Sequence, residues 1–161
     1  MNMKRNIKFA PLAVSVLIPL AVGGLSAFLT RDAMKLFGMV KQPPLSPPTW
    51  LFPVVWTILY TMMGIASYRI WASGVSHSRR DRALSFYAAS LAVNFLWPIF
   101  FFGMELYLFS FLWLILLWLL VLICVILFYY ISDTAGKLMI PYLVWLTFAG
   151  YLNLGVWLLN R

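Results

Sequence analysis

The chain has 161 residues, of which 64% are hydrophobic and only 10% are charged, and its mean hydropathy is +0.93. Soluble domains carry about 25% charged and 45–50% apolar residues, so this composition excludes a soluble globular protein and predicts a polytopic membrane protein. The net charge of +8 comes from Lys and Arg at the ends of apolar runs. Cations there orient helices in a lipid bilayer, which argues against nucleic acid as a partner.

Five apolar segments are long enough for a hydrocarbon core of about 30 Å, which needs roughly 20 residues per helix. They predict an all-α integral membrane protein that forms one domain over residues 1–161, a bundle of five transmembrane helices with a long proline-rich loop between the first and second. The predicted helices span about 9–29, 50–71, 83–102, 107–131 and 138–159.

The first segment follows Lys4, Arg5 and Lys8 and resembles a signal peptide, with a cleavage site at Leu25-Ser26-Ala27. Its apolar stretch is longer than the usual length of about 7–15 residues, which favours a retained helix.

The predicted loop covers residues 30–49. Its first part, 30–40, mixes Met, Leu and Phe with charges and would suit a short interfacial helix. Four prolines then forbid a helix: Pro43, Pro44, Pro47 and Pro48. Two interpretations remain open. The proline segment either covers the mouth of a cavity or is a cramped, rigid interhelical turn.

The distribution of cations predicts the orientation of the bundle. Eight Lys or Arg lie at the amino terminus, in and near the 72–82 linker, and in the turn before the fifth helix, whereas four lie on the opposite side. The cation-rich side faces the cytoplasm in membrane proteins. The amino terminus is therefore predicted to be cytoplasmic, with the proline loop and carboxyl terminus outside.

Residues for acid–base chemistry or metal binding are scarce. The four acids lie in loops or at helix ends: Asp32, Asp81, Glu105 and Asp133. An ion or proton pathway needs ionisable groups within the helices, so the pattern argues against a proton-coupled transporter. His77 is the only histidine and Cys124 the only cysteine, which predicts neither a metal site nor an intrachain disulfide.

The helices instead carry aromatic rings, with eight Trp, eight Tyr and thirteen Phe. Trp56 and Tyr60 share a face of the second helix with Met63, and Trp145 shares a face of the fifth with Ala149 and Asn153. Interfacial belts and ordinary packing explain many membrane aromatics. Trp56, Trp145 and Trp97 are harder to explain in this way, because each lies well inside its helix.

Two amides, Asn94 and Asn153, lie at membrane depth, where an unpaired polar group is costly. An interhelical hydrogen bond is the favoured interpretation, and ligand contact is the alternative.

Pairs of small residues four apart mark positions where helices approach closely: Gly23 with Ala27, and Ala88 with Ala92. Either pair could serve bundle packing or a homodimer.

Three motifs in order resemble the translocator protein family, whose bacterial members are the tryptophan-rich sensory proteins, TspO. They are the loop pattern Pro43-x-x-x-Pro47-Pro48-x-Trp50 followed by PVVWTILYTMMG, then NFLWPIFFFG at Asn94–Gly103, then PYLVWLTFAGYLN at Pro141–Asn153. The resemblance implies a five-helix bundle, commonly dimeric, with a pocket under the first long loop. It also implies binding of protoporphyrin IX, haem and benzodiazepine-site ligands, and no required cofactor.

Motif positions imply which residues line or support that pocket: Pro47, Trp50, Trp56, Tyr60, Asn94, Trp97, Ala149, Leu152 and Asn153. Some bacterial relatives are reported to degrade protoporphyrin IX in light. The tryptophans implicated there match Trp56 and Trp145, the only catalytic candidates. The cations nearest the loop in sequence are Arg31, Lys35 and Lys41, which would suit porphyrin propionates.

The sequence also departs from the family pattern. Gln42-Pro43-Pro44-Leu45 stands where many relatives have Lys-Pro-Ser-Trp, so one loop tryptophan is absent. The sterol motif of animal members needs a cation within about five residues of a tyrosine. Because the next cation after Tyr151 is Arg161, sterol binding is not expected.

The resemblance therefore implies a tetrapyrrole-binding sensor or regulator of porphyrin and stress physiology in a bacterial cell membrane, and the aromatic composition of the helices is compatible with it. The expected partners are protoporphyrin IX or haem, the lipid bilayer, and a second copy of the chain through Ala88 and Ala92. Two alternatives are light- and oxygen-dependent porphyrin degradation, and transport of porphyrins or other lipophilic molecules.

Overall fold

A computed structural model describes residues 7–161 as a bundle of five long helices. The helices are α1 (Phe9–Leu36), α2 (Leu51–Trp71), α3 (His77–Pro98), α4 (Tyr107–Ile131) and α5 (Asp133–Asn160). All five are long and apolar enough to cross a membrane, which confirms the predicted all-α transmembrane bundle. Lys4 and Arg5, which the orientation prediction uses, lie outside the described residues.

Neighbouring helices close into a ring in the order α1, α2, α5, α4, α3. The buried faces of α2, α4 and α5 supply most of the core. One end of the bundle carries the proline loop and the end of α5, and the other carries the starts of α1 and α5 with the ends of α2 and α4. The proline loop and the start of α1 therefore lie at opposite ends.

Three helices are longer than the sequence indicated. Helix α1 continues to Leu36 and ends in a 3₁₀ turn (Phe37–Met39), so residues 30–36 are its last turns instead of a separate interfacial helix. Thr30 is buried there, and its hydroxyl donates to the Ser26 carbonyl at 2.9 Å. Helices α3 and α5 begin at His77 and Asp133, earlier than predicted. The Ser132 hydroxyl caps α5 by accepting from the Ala135 amide at 3.4 Å.

Glycines set the contact between α1 and α2. A Cβ atom on Gly64 would collide with the Val16 backbone, and one on Gly23 would collide with the Tyr60 ring. Small residues allow helices to approach closely in membranes. Gly23 therefore serves packing within the bundle, whereas Ala88 and Ala92 lie exposed on α3.

Helix α3 changes to a π-helical turn at Ile99–Gly103, directly after Pro98. The Met104 amide donates to the Ile99 carbonyl at 2.9 Å and closes this wider turn. Such turns are often found at functional sites. Here the turn places Phe101 against Trp97, with ring centroids 4.9 Å apart.

Candidate functional site

Five aromatic side chains of α2 and α5 form what we call the central aromatic cluster: Phe52, Trp56, Tyr60, Tyr142 and Trp145. Trp56 is its middle ring and stacks on Tyr60 at 5.2 Å between centroids. It meets the edges of Tyr142 at 6.0 Å and Trp145 at 6.5 Å. The periodicity of both helices brings these rings to the shared α2–α5 face. The structure therefore brings together Trp56, Tyr60 and Trp145, three of the residues that the family resemblance implied.

Two polar atoms in this cluster are buried without a hydrogen-bond partner among the described residues, Trp145 Nε1 and Tyr142 Oη. Buried polar groups are nearly always paired, because an unpaired one costs about 1–3 kcal/mol. Both groups can donate a hydrogen bond. The cluster therefore offers two donors to any acceptor that enters it.

An apolar cavity of about 500 Å³ adjoins the cluster between α2 and α5 and is open to the bundle surface, where Ile140 and Val144 are exposed. Its lining contains no charged side chain and consists of Val55, Leu59, Ile140, Pro141, Val144, Trp145 and Phe148. Trp145 belongs to both the lining and the cluster. The cavity volume lies within the range of about 300–1,000 Å³ that is usual for small-molecule sites.

The two membrane-depth amides join helices. Asn94 Nδ2 donates to Tyr60 Oη at 2.8 Å, which links α3 to α2. Asn153 Oδ1 accepts from Trp97 Nε1 at 3.1 Å, and its Nδ2 donates to the Tyr107 carbonyl at 2.8 Å. Both amides thus make the interhelical hydrogen bonds that were favoured over ligand contact. Through Tyr60, Asn94 also positions the ring on which Trp56 stacks.

The proline loop is fastened to the end of α5. Pro43 is buried against Gly155, and the Tyr151 hydroxyl donates to the Pro44 carbonyl at 2.8 Å. The Asn160 carboxamide accepts from the Lys41 amide at 3.1 Å and donates to the Lys41 carbonyl at 2.9 Å. The proline loop therefore packs along the carboxyl-terminal end of α5, outside the central aromatic cluster.

The remaining residues implied by the family motifs lie farther out. Pro47 is half-buried in the loop, and Trp50 at the start of α2 is 65% exposed. Ala149 and Leu152 are half-buried on α5. Trp97 stacks on Phe101 outside the central aromatic cluster. The structure therefore gathers one subset of the implied residues around Trp56 and leaves Trp50 at the surface.

The three cations nearest the proline loop, Arg31, Lys35 and Lys41, differ in whether an acidic side chain neutralises them. Asp32 pairs with Lys35 at 3.1 Å and approaches Arg31 at 3.7 Å. Lys41 makes no salt bridge within the described part of the chain. Lys41 is therefore the least neutralised of the three cations proposed for porphyrin carboxylates.

Sequence reasoning missed three aromatic contributors: Phe52, Tyr142 and Phe148. Tyr142 lies one helical turn before Trp145, on the face that continues to Ala149 and Asn153. Extending that face backwards would have identified it. Phe52 and Phe148 each contact the Trp145 ring, at 6.0 and 5.6 Å between centroids, and only the α2–α5 packing reveals this.

A sequence profile of the TspO/MBR family matches residues 15–158. The chain belongs to the TspO/MBR family. Its relatives include a tryptophan-rich protein TspO of Chlorobaculum tepidum, 35% identical, covering 96% of this chain and 99% of the relative. The TspO of Archaeoglobus fulgidus is 37% identical over 92% and 96% of the two chains. The Bos taurus translocator protein is 33% identical over 95% and 92%. This TspO/MBR protein is therefore similar over nearly its full length to bacterial, archaeal and animal members.

The fastening of the loop to α5 gives one testable prediction for this TspO/MBR protein. We expect Gly155→Leu to release the loop, because a Cβ atom at 155 would lie 2.5 Å from Pro43 Cβ. Loss of the three hydrogen bonds to Lys41 and Pro44, each worth about 0.5–1.5 kcal/mol, should lower hydrogen-exchange protection of the Lys41 amide at least about tenfold. The control is Gly150→Ala, where the nearest atom would be an ordinary 3.8 Å away. Unchanged protection in Gly155→Leu would contradict the fastening.

Proposed function

We propose that this TspO/MBR protein binds a tetrapyrrole, protoporphyrin IX or haem, and acts as a membrane sensor or regulator of porphyrin and stress physiology. The observation that carries the proposal is the pair of buried, unpartnered donors, Trp145 Nε1 and Tyr142 Oη, set among aromatic rings beside an apolar cavity. A sensor needs a selective ligand site and a change on binding. Separation of Trp145 from its neighbouring rings would supply that change.

The chemistry of the cluster suits a flat, aromatic ligand. Ring faces and edges interact favourably with other aromatic systems at about 4.5–7 Å between centroids, and Trp56 already meets three rings in that range. A porphyrin also carries carboxylate oxygens and ring nitrogens. These acceptors would satisfy the two donors and remove the cost of leaving them unpaired.

The first experiment is a dark titration of the purified protein with protoporphyrin IX, followed by tryptophan fluorescence. The proposal expects saturable quenching at one ligand per chain, because Trp56 and Trp145 would contact the macrocycle. Quenching that rises linearly without saturation would mean partition into detergent or lipid, and would overturn the proposal.

We also expect metal-free protoporphyrin IX to bind at least as tightly as haem. The only histidine, His77, is exposed at the start of α3, with its Nδ1 2.7 Å from Arg80 Nη2. Cys124 is buried in α4. Competition between the two porphyrins tests this directly. A haem affinity tenfold higher, with an absorbance spectrum of axially ligated iron, would contradict it.

Light- and oxygen-dependent porphyrin degradation is the second candidate, favoured by the contact geometry of the two tryptophans. Trp56 lies between Trp145 and Tyr60, so an electron hole formed on an indole would have oxidisable rings beside it. Excited porphyrin would take an electron from the indole and pass it to oxygen, forming superoxide. The indole radical cation would recover its electron from the porphyrin, and the porphyrin radical cation would combine with superoxide and open the macrocycle. This candidate predicts loss of porphyrin absorbance in light and oxygen that slows in Trp56→Phe and Trp145→Phe. Equal bleaching in all three proteins would exclude it.

We propose that two copies of the chain form a homodimer through α3. We also propose that the protein lies in a bacterial cell membrane with its amino terminus in the cytoplasm. Ala88 and Ala92 are exposed one turn apart on α3, and small residues at this spacing allow a second helix to approach closely. Ala88→Trp should convert dimer to monomer in size analysis, and an unchanged dimer would exclude this face.

The orientation is tested with a reporter on the carboxyl terminus. A carboxyl-terminal reporter that is active in the cytoplasm would overturn the proposed orientation.

A further inference from the structure

A second cavity lies at the end of the bundle opposite the proline loop. Its volume is about 760 Å³, within the range of about 300–1,000 Å³ that is usual for ligand sites. Three segments line it: the residues before α1 (Ile7 and Lys8), the end of α2 with the following linker (68, 69 and 71–75), and the junction between α4 and α5 (Ile131 and Ser132). It shares no lining residue with the cavity beside Trp145.

The cavity is positively charged. Its lining includes Lys8 and Arg69 but no acidic residue, and neither cation forms a salt bridge within residues 7–161. Asp133, the acid next to the lining in sequence, is engaged by Lys137 Nζ at 2.6 Å. Two unneutralised cations therefore face one cavity.

The helix ends at this cavity do not reverse its charge. The amino-terminal ends of α1, α3 and α5 carry about +0.5 charge each, and the carboxyl-terminal ends of α2 and α4 about −0.5 each. These partial charges sum to about +0.5, which has the same sign as the full charges of Lys8 and Arg69. The linker adds hydrogen-bond donors, because the backbone N–H groups of Gly74 and Val75 have no acceptor within the described residues.

The position of the cavity matches the lipid headgroup level. All five membrane-spanning helices begin or end on this side of the bundle. Trp71, stacked on Tyr68 at 6.2 Å, is 43% exposed beside the cavity, and Tyr129 and Tyr130 are exposed near the end of α4. Tryptophan and tyrosine are enriched at the membrane–water interface. Cations at this level attract anionic lipids.

We propose that this cavity binds the phosphate headgroup of an anionic phospholipid from the leaflet on the amino-terminal side. Lys8 and Arg69 supply the charge, the backbone amides of Gly74 and Val75 supply donors, and Trp71 lies against the upper acyl chain. The site is separate from the proposed tetrapyrrole site and does not depend on it. It would fix the ends of α1, α2 and α4 relative to one another.

The test is a native mass spectrometry titration of the full-length protein with phosphatidylglycerol and, separately, phosphatidylcholine. We expect one saturable phosphatidylglycerol per chain and weaker phosphatidylcholine binding. Lys8→Gln and Arg69→Gln should each weaken phosphatidylglycerol binding about fivefold. Arg69→Lys, which keeps the charge, should lose much less. The control is Arg79→Gln, which removes an exposed cation from the same end of the bundle but outside the cavity.

Three results would overturn the proposal. Equal affinity for the two lipids would exclude charge recognition. An equal loss in the Arg79→Gln control would show a diffuse surface effect. Displacement of phosphatidylglycerol by millimolar glycerol phosphate or inorganic phosphate would identify a soluble-phosphate site instead of a lipid site. Thermal melting of each variant checks that it is folded. If Arg69→Gln or Lys8→Gln is unstable, the affinity of Arg69→Lys for the two lipids still tests the proposal.

Discussion

Replacing Gly64 with leucine is expected to destroy the packing of α1 on α2 and prevent assembly of a stable bundle. Gly64 is fully inside the contact, where a Cβ atom would collide with Val16 Cα and lie 2.6 Å from the Ser15 carbonyl oxygen. Both are backbone atoms of α1, so no side-chain rotation can relieve the clash. Overpacking usually costs about 1–3 kcal/mol, and a backbone clash with no relief lies at or above the upper end.

The matched control for Gly64→Leu is Gly24→Ala in α1, where a Cβ atom would meet nothing within 4 Å. Alanine is favoured over glycine in a helix by up to about 1 kcal/mol, so the control should be neutral or slightly stabilising. Thermal unfolding in detergent, read by circular dichroism, compares the two. A Gly64→Leu protein that melts like the wild type would contradict the close α1–α2 contact.

Replacing Trp145 with alanine is expected to weaken protoporphyrin IX binding about ten- to thirtyfold. The estimate assumes that the ligand covers about a third of a tryptophan surface of roughly 150–250 Å², at about 25 cal/mol per Å². That contact is worth about 1.3–2 kcal/mol, which gives the stated change in Kd. The loss of the Nε1 donor acts in the same direction.

Trp157→Ala is the control, because Trp157 lies on the same helix but outside the central aromatic cluster. Its ring packs under the Arg161 guanidinium. It should leave the Kd within about twofold, since exposed cation–π contacts contribute only about 0.5–1 kcal/mol and no ligand contact is lost. Trp145→Phe keeps an aromatic ring and serves if the alanine variant is unstable. Equal affinities in Trp145→Ala and Trp157→Ala would place the ligand elsewhere.

The five spans were predictable from the sequence because a bilayer demands long apolar helices whatever their partners. Helix ends were less predictable. Thr30 to Leu36 stay helical because the Thr30 hydroxyl is satisfied by the Ser26 carbonyl and no proline intervenes before Pro43. The charged residues around His77 and Asp133 predicted that these segments lie in water. A segment in water can still be helical, so both helices begin earlier than predicted. Hydropathy reports the environment of a residue and not its backbone conformation.

The candidate site was predictable in part, for a physical reason. Helical periodicity placed Trp56 with Tyr60, and Trp145 with Ala149 and Asn153, because residues at successive steps of four share a face. Periodicity within one helix says nothing about which faces meet. The pairing of Trp56 with Trp145, and of Pro43 with Gly155, follows from the α2–α5 contact and the path of the loop. These contacts required the tertiary structure.

The central claim is that a tetrapyrrole binds at Trp56 and Trp145, and fluorine NMR of 5-fluorotryptophan-labelled protein tests it most directly. The chain has eight tryptophans, and single Trp→Phe variants assign their resonances. Ring currents of bound protoporphyrin IX should shift the Trp56 and Trp145 resonances strongly and saturably, and leave Trp71 and Trp157 nearly unchanged. Saturable shifts confined to Trp71 or Trp157, or no saturable shift in any resonance, would contradict the account.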